Sequence, residues 1–141
     1  MAPDATFTLR LNFGTVQGWV ENGTPVEPFT HVRRLFERNT GQEPFKVPQS
    51  WVAARALLNP DTRFNLSTNN DIVGGNSGSP LIDARGHLVG LMFDGNIHSI
   101  SGSYWFDPQF NRAVAVDPAI IAEALHKVYK ADALAKELGL K

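Results

Sequence analysis

The most informative stretch of the chain is Gly75-Asn76-Ser77-Gly78-Ser79-Pro80. A serine that attacks a carbonyl carbon needs its hydroxyl on a sharp turn, with backbone N–H groups near the oxygen that becomes negative. The glycines on both sides of Ser77 allow such a turn, and they let the amides of Gly75 and Ser77 converge on one oxygen. The same residues are common in ordinary loops, so the hexapeptide alone leaves both interpretations open.

A β-hairpin is predicted directly after this turn. Two apolar segments, residues 79–82 and 87–93, flank Asp83-Ala84-Arg85-Gly86, and a glycine that tolerates positive φ is a usual hairpin signal. Alternation over residues 64–68 and the short apolar run 113–116 predict two more strands. The hexapeptide therefore lies among strands.

The N-terminal region also carries a strand pattern. Apolar and polar residues alternate over residues 5–11 and again over residues 14–20, which predicts a hairpin with one solvent-facing side. Two prolines and a glycine within residues 21–30 predict a loop after it.

Three helices are predicted. The first covers residues 31–38 with Thr30 as its N-cap, and the second covers residues 49–58. The third begins at Asp117, with Pro118 at the first helical position, and is kinked near Ala131-Asp132. The apolar face of this third helix comprises Ile121, Leu125, Val128, Leu134 and Leu138.

The order of elements is strands, helices, strands and a final helix. This order favours a mainly β fold, a β-barrel with helical additions, over a parallel α/β sheet, in which strands and helices alternate regularly. One domain is predicted over residues 1–141. Within it, residues 1–63 form the strands and helices that precede the serine turn, residues 64–116 hold the serine turn and its strands, and residues 117–141 form the C-terminal helix.

Composition excludes several function classes. Thirteen basic against fourteen acidic residues give a net charge of −1, so no charge excess favours nucleic acid or an anionic membrane surface. Without cysteine there is no thiolate zinc site, disulfide or thiol nucleophile, and no His-Glu-x-x-His or phosphate-loop pattern occurs. We therefore expect no metal or cofactor. Neither a signal peptide nor an apolar segment of membrane-spanning length is recognisable.

Several longer segments carry a resemblance to a known family. They are Pro3-Asp4-Ala5-Thr6-Phe7-Thr8-Leu9-Arg10, Thr68-Asn69-Asn70-Asp71-Ile72, the glycine-rich turn, Gly86-His87-Leu88-Val89-Gly90-Leu91, Phe93-Asp94-Gly95-Asn96-Ile97 and Asn111-Arg112-Ala113-Val114-Ala115-Val116-Asp117. Together they resemble the C-terminal part of the bacterial dipeptidyl-peptidase 7 and dipeptidyl-peptidase 11 family. The likeness covers nearly the whole chain.

The resemblance implies a fold and an activity. It implies the second, C-terminal six-stranded barrel of a chymotrypsin-like serine peptidase plus a C-terminal helix. The family releases dipeptides from the free N-terminus of peptides in the periplasm or at the cell surface, and a helical insertion makes it an exopeptidase. By this resemblance Ser77 is the nucleophile, and the amides of Gly75 and Ser77 form the oxyanion hole.

The resemblance also implies a substrate pocket. Asp94 matches an aspartate that holds the substrate's α-ammonium group, a role that suits charge-assisted hydrogen bonding. Gly95 stands where the acid-specific branch has arginine, which predicts a hydrophobic preference at the cleaved residue, with Phe93 and Asn96 completing the pocket. The alternative interpretation is a solvated turn acid followed by a turn glycine.

The chain differs from the family because no catalytic base is recognisable in its sequence. The family's catalytic histidine and aspartate belong to its first barrel, and His31, His87, His98 and His126 are each expected at the surface instead. We therefore expect this chain alone to be inactive. Its expected partners are peptide substrates, the N-terminal barrel and helical domain of the same enzyme, and a second copy of itself, through exchange of terminal strands or the C-terminal helix.

Two other function classes are compatible with parts of the sequence. One is a non-catalytic, trypsin-like binding or interaction module, either truncated or degenerate. The other is a small endopeptidase complete in one chain, which is disfavoured because 141 residues rarely hold two six-stranded barrels.

Overall fold

The computed structural model of the protein describes residue 9, residues 11–102 and residues 104–140. The strand predicted over residues 5–11 therefore lies largely outside the described residues. Two compact units are present. One comprises the described residues up to Phe29 together with Asn65–Val116, and the other comprises Thr30–Phe64 together with the described residues from Asp117 onward.

A two-stranded ribbon occupies part of the predicted loop over residues 21–30. Strand β1 (Trp19–Glu21) pairs antiparallel with β2 (Thr24–Val26). Asn22 and Gly23 connect them with φ angles of 50° and 80°, the geometry of a two-residue hairpin turn. The loop prediction is therefore wrong. Proline obscures the strand signal here, yet a ribbon tolerates proline because each strand has one unpaired edge.

The main sheet holds five strands in the part of the chain that the structure describes. They are β3 (Phe29–His31), β4 (Arg63–Thr68), β5 (Pro80–Ile82), β6 (Leu88–Gly95) and β7 (Ala113–Val116), in the order β3-β4-β7-β6-β5. The pairs β4–β7, β7–β6 and β6–β5 are antiparallel. Four of these strands confirm the strands predicted from the sequence, and β5 and β6 form the predicted hairpin.

The core of the first unit lies on one face of β4, β6 and β7. Leu66, Met92, Ala113 and Ala115 are buried there, and Phe29, Ile72 and Leu81 pack against them. Gly90 of β6 has no room for a side chain, because an added Cβ would lie 2.9 Å from the Ala115 Cβ and 3.2 Å from Leu66 Cδ2. The absence of a side chain at Gly90 therefore leaves room for the buried side chains of Ala115 and Leu66.

The first two helices are short. Helix α1 covers Val32–Glu37, and α2 covers Gln49–Ala54 and continues as a 3₁₀ turn, Arg55–Leu57. Thr30 lies in β3, so the prediction of Thr30 as N-cap is wrong. The amides of Val32 and Arg33 instead donate to the carbonyls of Thr62 and Pro60, both at 3.0 Å, which supplies the acceptors that a capping side chain would have provided.

The C-terminal region begins as predicted. Helix α3 covers Pro118–Glu123, and the Asp117 carboxylate accepts a hydrogen bond from the Ala119 amide at 2.9 Å. A π-helical turn, Ala124–Val128, follows, and Lys130 with φ 52° separates it from helix α4, Asp132–Glu137. The predicted kink is therefore confirmed. No helix within the described residues is long and apolar enough to cross a membrane.

The buried face of this region differs from the predicted one. Ile120, Ala124 and Ala135 are buried, whereas Leu134 and Leu138 are 45% and 57% exposed. The π-helical turn contains an extra residue, so a period of ~3.6 residues does not carry the apolar face across it.

Candidate active site

Ser77 is exposed at the tip of a tight turn. Gly75 and Gly78 on either side have φ angles of 94° and 85°, which residues with side chains rarely adopt. Asn76 braces the turn, because its Oδ1 accepts from the Val73 amide at 2.9 Å and its own amide donates to the Val73 carbonyl at 3.2 Å. The glycines predicted to allow the turn thus do so, and Asn76 stabilises it.

Strand β6 holds this turn in place. The amide of Gly78 donates to the Met92 carbonyl at 2.7 Å, and the amide of Met92 donates to the Ser79 carbonyl at 2.9 Å. The Ser77 hydroxyl donates to the carbonyl of Phe93 at 3.2 Å. The orientation of the Ser77 side chain therefore depends on β6.

Two backbone amides of the turn are free. Within the described part of the chain, neither the Gly75 nor the Ser77 N–H has a hydrogen-bond partner. Free amides beside a serine hydroxyl can stabilise negative charge on an oxygen, as the predicted oxyanion hole requires.

A cavity of about 440 Å³ lies between the turn and β6. Five of the predicted site residues line it: Ser77, Phe93, Asp94, Gly95 and Asn96. The sixth, Gly75, does not, although its neighbours Gly74 and Asn76 do. The structure thus brings the predicted hydroxyl, carboxylate and pocket residues to one cavity.

The remaining lining of this cavity was not predicted. It consists of Ile72, Val73, Gly74, Asn76, Met92, Ile97, Ser99 and Ile100. The last three come from a 3₁₀ turn, Ile97–Ser101. Alternation along β6 would have indicated Met92, but no local pattern signals the others.

Asp94 is the only charged side chain that lines the cavity within the described residues. Its Oδ1 accepts from the Gly95 amide at 2.8 Å, and the residue is exposed. A β-bulge precedes it, because Met92 pairs with Ala115 whereas Asp94 pairs with Val114. Bulges re-aim side chains and are frequent beside active sites.

Arg112 has a buried side chain, and its main chain is hydrogen-bonded to the cavity residues Asn96 and Ser99. It is 1% exposed, and its guanidinium donates to the carbonyls of Gly18, Pro108, Gln109 and Asn111 at 2.7–3.1 Å. Burial lowers the pKa of Arg112, and the Asp107 carboxylate opposes that shift. An arginine side chain with such a shift remains charged at neutral pH, so the guanidinium provides hydrogen-bond donors in a fixed arrangement.

None of the four histidines is hydrogen-bonded to Ser77 within the described residues. Three of them pair with carboxylates: His87 with Asp83 at 3.2 Å, His98 with Glu21 at 2.7 Å and His126 with Asp132 at 3.3 Å. Hydrogen bonds from His98 and Trp19 lower the pKa of Glu21. The side chains of His98 and His126 are only 32% and 33% exposed, so both are more buried than the prediction of surface histidines implies.

Sequence comparison identifies the family. The model of the peptidase S46 family matches residues 1–140. The chain belongs to the peptidase S46 family. Its predicted likeness to dipeptidyl-peptidases 7 and 11 is thereby confirmed.

Curated relatives of this S46 chain are much longer than the chain itself. It is 33% identical to the Asp/Glu-specific dipeptidyl-peptidase of Shewanella putrefaciens, over 98% of this chain and 23% of that enzyme. It is 39% identical to dipeptidyl-peptidase 7 of Phocaeicola vulgatus, over 82% of this chain and 18% of that enzyme. The chain thus spans about a fifth of the relatives' length.

Solved structures support the fold of the S46 chain. Porphyromonas endodontalis DPP11 in complex with the dipeptide Arg-Glu matches it with a TM-score of 0.88 at 22% identity, over 97% of this chain and 21% of that one. The predicted fold class, mainly β with helical additions, is confirmed. The predicted hydrophobic preference is not supported by the relatives, since enzymes named Asp/Glu-specific are among them.

Proposed function

We propose that this chain supplies the nucleophile and the substrate-binding cavity of a serine dipeptidyl-peptidase, which releases dipeptides from the N-terminus of peptides. The observation that carries the proposal is that Ser77 and Asp94 line one cavity. A peptide whose ammonium group is held by the carboxylate presents one particular carbonyl to the hydroxyl, which makes cleavage an exopeptidase reaction.

Ser77 acts as the nucleophile in this proposal. Its Oγ forms a bond to the carbonyl carbon of the second substrate residue, and the amides of Gly75 and Ser77 stabilise the resulting oxyanion. The hydroxyl proton passes to a base and then to the departing amine as the C–N bond breaks. The dipeptide remains as an ester on Ser77 until water hydrolyses it.

The base comes from polypeptide outside this chain. Ser77 donates to the Phe93 carbonyl, which orients the hydroxyl but cannot accept its proton at neutral pH. The curated relatives contain about four times as much further polypeptide, enough for a second barrel with the base. The N-terminal barrel and helical domain predicted as partners are therefore part of the proposal.

An apolar residue is proposed at the cleaved position. Ile72, Met92, Ile97 and Ile100 give the cavity an apolar surface, and no basic side chain lines it within the described residues. A substrate carboxylate would lose its hydration there and approach Asp94 without a counter-charge, which is unfavourable. Gly95, at the position of the arginine in the acid-specific branch, agrees with this preference.

A domain exchange tests the proposal. In the Shewanella chimera, the full chain replaces the segment that it matches in the Asp/Glu-specific enzyme of Shewanella putrefaciens. We expect the chimera to release dipeptides from X-Leu and X-Met aminomethylcoumarin substrates in preference to X-Asp and X-Glu substrates. A chimera that prefers X-Asp would contradict the apolar preference and leave the peptidase activity standing.

Covalent labelling tests the role of Ser77 separately. A fluorophosphonate probe should label the chimera, and Ser77→Ala should abolish both labelling and turnover. Ser101→Ala is the matched control, because Ser101 is exposed and outside the cavity lining. A folded chimera that is neither labelled nor active would favour the alternative function, a non-catalytic interaction module, for which the supporting observation is that no basic side chain is hydrogen-bonded to Ser77 among the residues that the structure describes.

A further inference from the structure

Ser99 lies against the backbone of Gly95. A Cβ built on Gly95 would be 2.6 Å from the Ser99 Cβ, 3.0 Å from its Oγ and 3.3 Å from the Arg112 carbonyl oxygen, so the two shortest contacts are both to Ser99. These two distances are far inside ordinary van der Waals contact, so no side chain fits at position 95 while Ser99 keeps its place. Gly95 is not in a left-handed conformation, so space alone excludes a side chain there.

Hydrogen bonds hold Ser99 in this place. Its hydroxyl lies 3.0 Å from Asn96 Oδ1 and 3.1 Å from the Arg112 carbonyl. Asn96 is anchored in turn, because its Nδ2 donates to the Phe110 carbonyl at 2.7 Å and its Oδ1 accepts from the Arg112 amide at 3.0 Å. The Ser99 side chain is therefore a fixed part of the cavity wall.

We propose that Ser99 is a specificity-determining residue, which limits how far the substrate side chain enters the cavity. The inference rests on the proposed function and adds a second position to it. Residues 95 and 99 act as a pair, because whatever occupies one restricts the other. A change of preference at Gly95 therefore requires a smaller residue at position 99.

The steric part of the inference is testable on the chain itself. Gly95→Ala should destabilise the protein, and Ser99→Gly in the same molecule should restore most of the lost stability. Thermal unfolding of the two single variants and the double variant gives the coupling between the positions. Additive effects of the two substitutions would overturn the pairing, whatever the activity of the chimera.

The specificity part is testable in the Shewanella chimera. Ser99→Thr retains the hydroxyl and adds a methyl group, so kcat/KM for X-Met and X-Phe substrates should fall about tenfold relative to X-Ala, the effect of one methyl group in an apolar pocket. Ser99→Gly should shift the profile the opposite way and serves if the Thr variant does not fold. Ser101→Thr, outside the cavity lining, should leave the profile unchanged.

Different results would contradict the role of Ser99 and the proposed function. An active chimera whose substrate profile is the same with Ser, Thr and Gly at position 99 overturns the role of Ser99 and leaves the proposed function intact. A folded chimera without dipeptide release on any substrate overturns the proposed function, and the specificity role of Ser99 with it.

Discussion

At the scale of single residues, the roles of buried polar side chains depend on distant backbone. Arg112 is the clearest case, since its Nε donates to the carbonyl of Gly18, 94 residues earlier in the chain. Nothing local marks this arginine, because its sequence neighbours are those of an ordinary strand start. Ser77 differs from it, because the glycines beside it already indicate the turn and its exposed hydroxyl.

Replacing Arg112 should cost more stability than replacing a surface arginine. Arg112→Met leaves four carbonyls without their donor, and we expect a loss of about 3 kcal/mol or more in the free energy of unfolding. Urea unfolding followed by circular dichroism measures it. Arg85→Met is the control, since this side chain is 78% exposed and its loss should change stability by less than about 0.5 kcal/mol. Equal effects of the two substitutions would contradict the structural role of Arg112.

At the scale of elements, local sequence patterns predicted those strands, turns and helix starts that residues close together in the chain form. The hairpin of β5 and β6, strand β7 and the start of α3 follow from turn residues, alternation and a proline at the first helical position. The ribbon of β1 and β2 carries its Asn22-Gly23 signal too, but prolines obscure it. The N-cap predicted for α1, Thr30, is wrong because carbonyls of a distant loop replace the capping side chain.

The N-cap of α3 offers a direct stability test. Asp117→Ala removes the acceptor of the Ala119 amide, and we expect a loss of about 1 kcal/mol in the free energy of unfolding. Asp117→Asn retains an oxygen in the same position and should lose only a small part of that stability. If Asn were as destabilising as Ala, the carboxylate charge rather than the cap would be responsible.

Glu123 of α3 makes stability depend on pH. Burial alone would raise its pKa, but hydrogen bonds from Lys127, Thr62 and the Asn59 amide together lower it below the ordinary value of 4.5. The unfolded chain therefore binds this proton more readily, and the stabilisation is present above the unfolded pKa and is lost as the pH falls through the folded pKa.

Urea unfolding of Glu123→Gln across pH 3 to 7 checks the direction in which stability changes with pH. The acid-induced loss of stability should be smaller in the variant than in the unsubstituted chain over about pH 5 to 3. Glu137→Gln is the control, because Glu137 is exposed on α4, and it should retain the full acid-induced loss. An unchanged slope in Glu123→Gln would show that this carboxylate does not carry the effect.

At the scale of the whole molecule, the proposed nucleophile Ser77 has no histidine as a hydrogen-bond partner within the described residues. We therefore expect the isolated chain to turn over dipeptidyl substrates at least about a hundredfold more slowly than the Shewanella chimera. Aminomethylcoumarin release measures both rates. Turnover by the isolated chain that disappears in Ser77→Ala would show that a base lies within the chain after all.

Exposed apolar side chains underlie the prediction of self-association. Ile97 and Ile100, which also line the cavity, lie in one short segment with Tyr104 and Trp105. All four are 69–87% exposed, an arrangement typical of interaction surfaces. We expect concentration-dependent dimers in sedimentation velocity, and fewer of them in Trp105→Ser. Leu57→Ser, 59% exposed outside this segment, is the control. Monomers alone at high concentration would refute the prediction.

The sequence by itself determined the serine turn, the hairpin after it, most of the sheet strands, the start of α3 and the family, because these depend on residues close together in the chain. Only the tertiary structure decided the cavity wall, where Ser99 excludes a side chain at Gly95, and the burial of Arg112. The physical reason is that both features depend on the folded backbone. Ser99 is held against Gly95 by the carbonyl of Arg112, 13 residues later, and the Arg112 guanidinium reaches the carbonyl of Gly18, 94 residues earlier, and neither composition nor period says which atoms meet.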